Sequence, residues 1–168
     1  MKRIFSFSTL VLAVSMLLLS ACGSVSHSAY LTKSKPHPEG LAEIAAPGQK
    51  VYIDWFDAQG DLSGDELDDF QRLTRDYTYW KVVDNKPDAD FVLRLIENKK
   101  WVMGSPSCWI TPEILTTDGR LLWRGEMTRG EANEFNGFRA TDRCFKKMLK
   151  GLFVPDPALA PAINVKEL

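Results

Sequence analysis

The 168-residue sequence predicts an α/β (α+β) fold. The expected form is a two-layer sandwich with the order β-α-β-β-β-β-α, a mainly antiparallel sheet and both helices on one face. Three observations carry this. Short runs that alternate apolar and polar residues recur between positions 50 and 127. Two segments with apolar residues at helical spacing lie near 64–76 and 141–152. Asp118-Gly119 marks a tight hairpin between two of the strands, because glycine accepts the positive φ that such a turn requires.

The elements follow in order. Lys50–Phe56 (KVYIDWF) sets Val51, Ile53 and Trp55 on one side and Tyr52, Asp54 and Phe56 on the other, which predicts a strand. Ser63 and Glu66 then have the spacing of a capping box, and Leu67, Phe70, Leu73 and Tyr77 form one apolar stripe of a helix. Tyr79–Val83 is a short strand, and Phe91 opens a long one that reaches about Val102. Gly104-Ser105-Pro106 turns the chain so that CWITPEILTT returns beside it, and LLWRGEM follows the Asp118-Gly119 turn. Residues 129–140 are expected to be a loop. Thr141 is expected to cap a last helix whose buried face is Phe145, Met148, Leu149 and Leu152.

The N-terminal segment has a different character. Lys2 and Arg3 precede an apolar stretch from Ile4 to Leu19, and Ser20-Ala21 stand before Cys22, the three-part layout of a secretory signal peptide. The run is shorter than the roughly 20 apolar residues of a membrane-spanning helix and is broken by Ser6, Ser8, Thr9 and Ser15. Leu19-Ser20-Ala21-Cys22 resembles the lipobox of bacterial lipoproteins. That resemblance implies cleavage after Ala21 and a diacylglycerol on the Cys22 sulfur. Further acylation of the new amino terminus would complete an anchor of two or three chains, enough for stable attachment to a bilayer. Gly23, where many inner-membrane lipoproteins carry Asp, favours the outer membrane, with the domain facing the periplasm.

This gives four expected regions: a signal peptide (1–21), the lipidated Cys22 with a flexible tether (22–49), the α/β domain (50–154) and an extended Pro-rich tail (155–168). The tether is rich in Ser, Pro, Gly and Ala, and Pro155, Pro157 and Pro161 forbid a long helix in the tail. Within the domain, Ala89-Asp90-Phe91-Val92-Leu93, Asp118-Gly119-Arg120-Leu121-Leu122-Trp123 and the closing amphipathic helix resemble small periplasmic α/β domains. Examples are the N-terminal domain of the Tol-system propeller protein TolB and the curli-secretion lipoproteins. The resemblance implies a binding or assembly role and brings no catalytic residues.

Composition narrows the function classes. The formal net charge is −1, and loss of Lys2 and Arg3 with the signal peptide makes it −3, a poor match to nucleic acid. Both histidines, His27 and His37, precede residue 50, so the domain has no imidazole for a hydrolytic triad or a zinc site. Asp57, Asp61, Asp65 and Asp68 fail the spacing of a calcium loop, since Leu62 stands where glycine is needed. No cofactor, metal or catalytic residue is expected, and the chain is read as a non-enzymatic protein.

In an oxidising compartment the remaining cysteines, Cys108 and Cys144, suggest one disulfide, with two buried thiols as the alternative. Trp101, Val102 and Met103 at a hairpin tip, with Phe135 and Phe138 in a nearby loop, form a candidate surface for an envelope protein partner. The same aromatics could instead cover the open end of the sheet. A small-ligand or glycan binder using that end is the second expectation, and an envelope hydrolase the third.

Overall fold

The fold is that of a computed structural model, described for residues 40–58, 64–102, 105–132 and 139–168. Cys22, expected to carry the lipid anchor, lies outside the described residues, as do Met103, Phe135, Phe138, Ser63 and most of the expected tether. The elements are α1 (Leu41–Ile44), β1 (Lys50–Asp57), α2 (Gly64–Tyr77), β2 (Lys81–Val83), β3 (Phe91–Val102), β4 (Ser105–Leu115), β5 (Leu121–Arg124), β6 (Thr128–Glu131) and α3 (Ala140–Met148). A π-helical turn, Leu149–Phe153, continues α3.

The strands form one sheet in the order β2-β1-β3-β4-β5, with β6 also paired to β4. Alternation decides which side chains meet the helices. Val51, Ile53, Leu93, Leu95, Cys108, Ile110 and Ile114 join Phe70, Leu73, Phe145, Met148 and Phe153 in a single core. The rings of Phe70 on α2 and Phe145 on α3 lie 5.9 Å apart, which places both helices on the same face of the sheet. The two-layer arrangement expected from the sequence is therefore present.

The sheet is mixed. β1 pairs in parallel with both β2 and β3, whereas β3–β4, β4–β5 and β4–β6 are antiparallel. The parallel half follows from connectivity. Helix α2 carries the chain from β1 back to β2 as a crossover, and β2 is so short that residues 84–90 can return to start β3 on the other side of β1. Asp90 fixes that return by accepting from the Lys50 amide at 2.7 Å.

Three local expectations are corrected. Residues 128–131 are strand β6, not loop. β5 and β6 are one edge interrupted by a bulge, where residues 125–127 oppose only Thr111 and Pro112. Pro112 sits at the break, so its missing N–H costs no ladder bond, and its carbonyl accepts from Gly125 at 2.9 Å. Secondly, the end of the expected tether is folded. Leu41 and Ala45 are buried, and the Ala45 carbonyl accepts from Trp80 Nε1 at 2.8 Å. Thirdly, the tail packs back on the domain. Leu159, Ala162 and Ile163 are buried, Ile163 bridges Thr78, and the prolines bend the chain around the core without detaching it.

Trp80, which no sequence pattern singled out, is the tryptophan at the centre of this packing, edge-on to Phe91 and Phe153. Trp55, Trp109 and Trp123, which lie in strands, are half-buried. Trp109 lies on the opposite face beneath the Arg129 guanidinium, 5.1 Å from its centroid.

Candidate functional site

The long β3–β4 hairpin projects past β1, whose pairing stops at Asp57 opposite Glu97. The first turns of α2 and α3 stand beside the projecting part. Between them lies a cleft of about 770 Å³. Its lining carries both signs of charge: Glu66, Asp69 and Asp142 against Arg72, Lys99, Lys100 and Arg139.

Most of these charges hold the elements together. Arg72 on α2 reaches Asp69 at 3.0 Å, Asp76 at 3.6 Å and, across to α3, Asp142 at 3.3 Å. Lys99 on β3 donates to Glu66 on α2 and stands 3.6 Å from Glu97. Burial works against the Lys99 ammonium, but the Glu66 hydrogen bond and the two carboxylate charges outweigh it and raise its pKa.

Beneath the cleft is a buried polar cluster centred on Glu97, which is 2% exposed. One carboxylate oxygen accepts from Trp55 Nε1 at 2.9 Å. The other accepts from the Thr141 hydroxyl at 3.0 Å and the Cys108 thiol at 3.1 Å. Buried carboxylates are costly unless so satisfied. Thr141 is thus not the N-cap. Arg139 occupies that position without a side-chain cap bond, and the Thr141 hydroxyl ties the first turn of α3 to the sheet.

The two cysteines that the sequence singles out meet here. Both are buried thiols, unbridged in the structure, and the two lie side by side. That contact, followed by burial and by the nearby Cys144 and Glu97 charges, pushes the Cys108 pKa far up, so its thiol stays protonated. Cys144 in turn donates to the Thr128 carbonyl at 3.1 Å. Their meeting depends on Gly130, the register partner of Cys108, over which the α3 backbone passes at Cys144.

Of the expected aromatic surface, Val102 is half-buried at the hairpin end, opposite Ser105, and Trp101 pairs with Pro106. Glu97, Arg72 and Lys99 were not expected to matter. The available signal for Glu97 was parity. Phe91, Leu93 and Leu95 point inward along β3, and the next inward position is a carboxylate.

Among the described residues no group of three or more His, Cys, Asp or Glu is placed to hold a metal, and no helix is long and apolar enough to cross a membrane. No family model and no curated protein matches the chain. The chain is similar to two lipoproteins of known structure. Uncharacterized lipoprotein B from Nitrosomonas europaea is 18% identical, with a TM-score of 0.36, over 62% of this chain and 77% of that one. The C-terminal domain of LpoB from Salmonella enterica is 12% identical, with a TM-score of 0.31, over 52% of this chain and 84% of that one.

Proposed function

We propose that this is a bacterial envelope lipoprotein, cleaved after Ala21 and anchored through a diacylglycerol on Cys22, with a non-enzymatic domain that binds another envelope protein. The outer membrane, with the domain facing the periplasm, is the favoured site on the strength of Gly23. The observation that most supports a protein partner is the cleft with its lining of both charge signs. A rim carrying both charge signs offers a protein partner several paired polar contacts. Ala132 donates to the Pro106 carbonyl at 2.9 Å, and Arg139 lines the cleft. Phe135 and Phe138 remain the proposed aromatic anchors of the partner surface. A hydrolase is less well supported, since the cleft carboxylates are engaged in ion pairs and the Cys108 thiol is not activated.

Crosslinking of the full-length, membrane-anchored chain tests this reading. Neighbours captured by the wild type should be lost in Lys100→Glu and Arg139→Glu variants whose melting temperature is unchanged. Retention of the same neighbours in both variants counts against the cleft. Acyl labelling that survives in Cys22→Ala would refute the anchor.

In an oxidising periplasm the adjacent Cys108 and Cys144 thiols would lose two protons and two electrons to the export machinery's oxidant and form a bridge across the cleft floor. Two alkylatable thiols in mature protein isolated without reductant would rule this out.

A further inference from the structure

From Arg139 to Lys150, every exposed side chain is a cation. Arg139 at the start of α3, Arg143 and Lys147 within it, and Lys150 in the π-helical turn face solvent. Thr141, Cys144, Phe145, Met148 and Leu149 are buried on the other side. The spacing i, i+4, i+8, i+11 gathers the four cations within roughly 80° of arc, in a stripe about 16 Å long.

Little within the chain neutralises this stripe. Asp142, the acidic residue of α3, is engaged by Arg72 at 3.3 Å and stands 4.0 Å from Arg139. Lys146 is set apart over the Tyr77 ring, 4.5 Å from its centroid. Arg143, Lys147 and Lys150 form no ion pair among the described residues. On the neighbouring helix, Asp69 and Asp76 are held by Arg72. The chain as a whole has a net charge of −1, so outside the stripe it is net negative.

We propose that the exposed stripe of α3 lies on the anionic headgroups of a phospholipid bilayer. The proposal rests on the Cys22 anchor put forward above. Fully extended, the roughly 18 residues from Cys22 to the start of the described fold at Gly40 reach about 60 Å, so an anchored domain stays beside its membrane. At that range the stripe has only to orient the domain, as a basic patch does when it supplements an acyl anchor. The chemistry of the stripe selects the occupant. It carries no exposed apolar side chain, whereas a protein partner is held mainly by buried aromatic or aliphatic anchors. A headgroup layer requires only cations at its plane, each favouring contact about fivefold. The same anionic surface repels the net-negative remainder of the chain, which turns the α3 side toward it.

Lysine footprinting of the full chain on vesicles tests the proposal. The protein is reconstituted in phosphatidylcholine vesicles and in equimolar phosphatidylcholine–phosphatidylglycerol vesicles, acetylated, and read by peptide mass spectrometry. Lys147 and Lys150 should label about fivefold more slowly on the anionic vesicles, and molar salt should abolish the difference. Lys81, exposed on the far edge strand β2, should label equally on both. Arg143→Glu combined with Lys150→Glu should remove the protection of Lys147 at an unchanged melting temperature, with Arg139 and the cleft left intact. Equal labelling of Lys147 on the two kinds of vesicle overturns the proposal and leaves the stripe to an acidic protein. So does protection that the double variant retains. Flotation with the neutral vesicles tests the anchor separately. A chain that stays in solution there refutes the Cys22 reading, and labelling on the anionic vesicles against the free chain still decides the stripe.

Discussion

Adding one methyl group at Gly130 should loosen the junction on which the cleft floor depends. Gly130 lies on β6 directly under α3. A Cβ there would stand 2.5 Å from the Cys144 amide nitrogen, 2.6 Å from its Cα and 2.7 Å from its Cβ. Two of these are backbone atoms of a helix and the third is fixed rigidly to them, so relief cannot come from a rotamer change. The first turn of α3 must rise by roughly 1 Å, which parts Phe145 and Met148 from the core and stretches the Thr141–Glu97 bond. Overpacking usually costs 1–3 kcal/mol, and the rigidity of the obstacle puts Gly130→Ala near the top, about 3 kcal/mol. For a folded unit of this size that corresponds to a fall in melting temperature of about 10 °C. Gly151→Ala is the control. It lies in the turn after α3 with no atom within 4 Å of the added carbon, so it should be neutral or stabilise by about 0.5–1 kcal/mol. Urea and thermal unfolding of both variants provide the measurement. A Gly130→Ala protein melting within about 2 °C of wild type would mean that α3 does not cross β6 as described.

Two further outcomes concern the same floor. Glu97→Ala leaves the Trp55 indole, the Thr141 hydroxyl and the Cys108 thiol without their acceptor and should cost about 3 kcal/mol. Glu97→Gln keeps an acceptor oxygen and should cost less, so equal stabilities for the two variants would show that these bonds contribute little. A Cys108–Cys144 bridge closes a loop of about 37 residues and should add about 3–4 kcal/mol in the chain-entropy model. Oxidised and reduced protein that unfold at the same urea concentration would argue against a stabilising bridge.

Much of the layer structure was legible because it follows from local periodicity. The alternation in KVYIDWF marked one strand and its two sides, and the apolar run FVLRLIE marked a second. The stripe from Leu67 to Tyr77 fixed α2, and Asp118-Gly119 fixed the β4–β5 turn. What stayed hidden depends on contacts between segments distant in sequence. Strand β6 could not be seen in the sequence because TRGE has almost no apolar alternation, and it is strand only because β4 offers an unpaired edge. The C-terminal tail departs from expectation for a related reason. Prolines exclude a long helix, but they do not prevent Leu159 and Ile163 from filling gaps in a core built elsewhere.

The sequence alone determined the two-layer class, the positions of the principal helices and strands, and the expectation of a lipid-anchored chain with a cysteine pair. Tertiary structure decided the parallel pairing of β1, the burial of Glu97 between β3 and α3, and the meeting of Cys108 with Cys144 over Gly130. It also paired Asp54 on β1 with Arg94 on β3. The physical reason is range. Backbone periodicity acts over a few residues and is written in their order, whereas register, close approach and charge pairing arise only when segments some 40 residues apart are brought within a few ångströms.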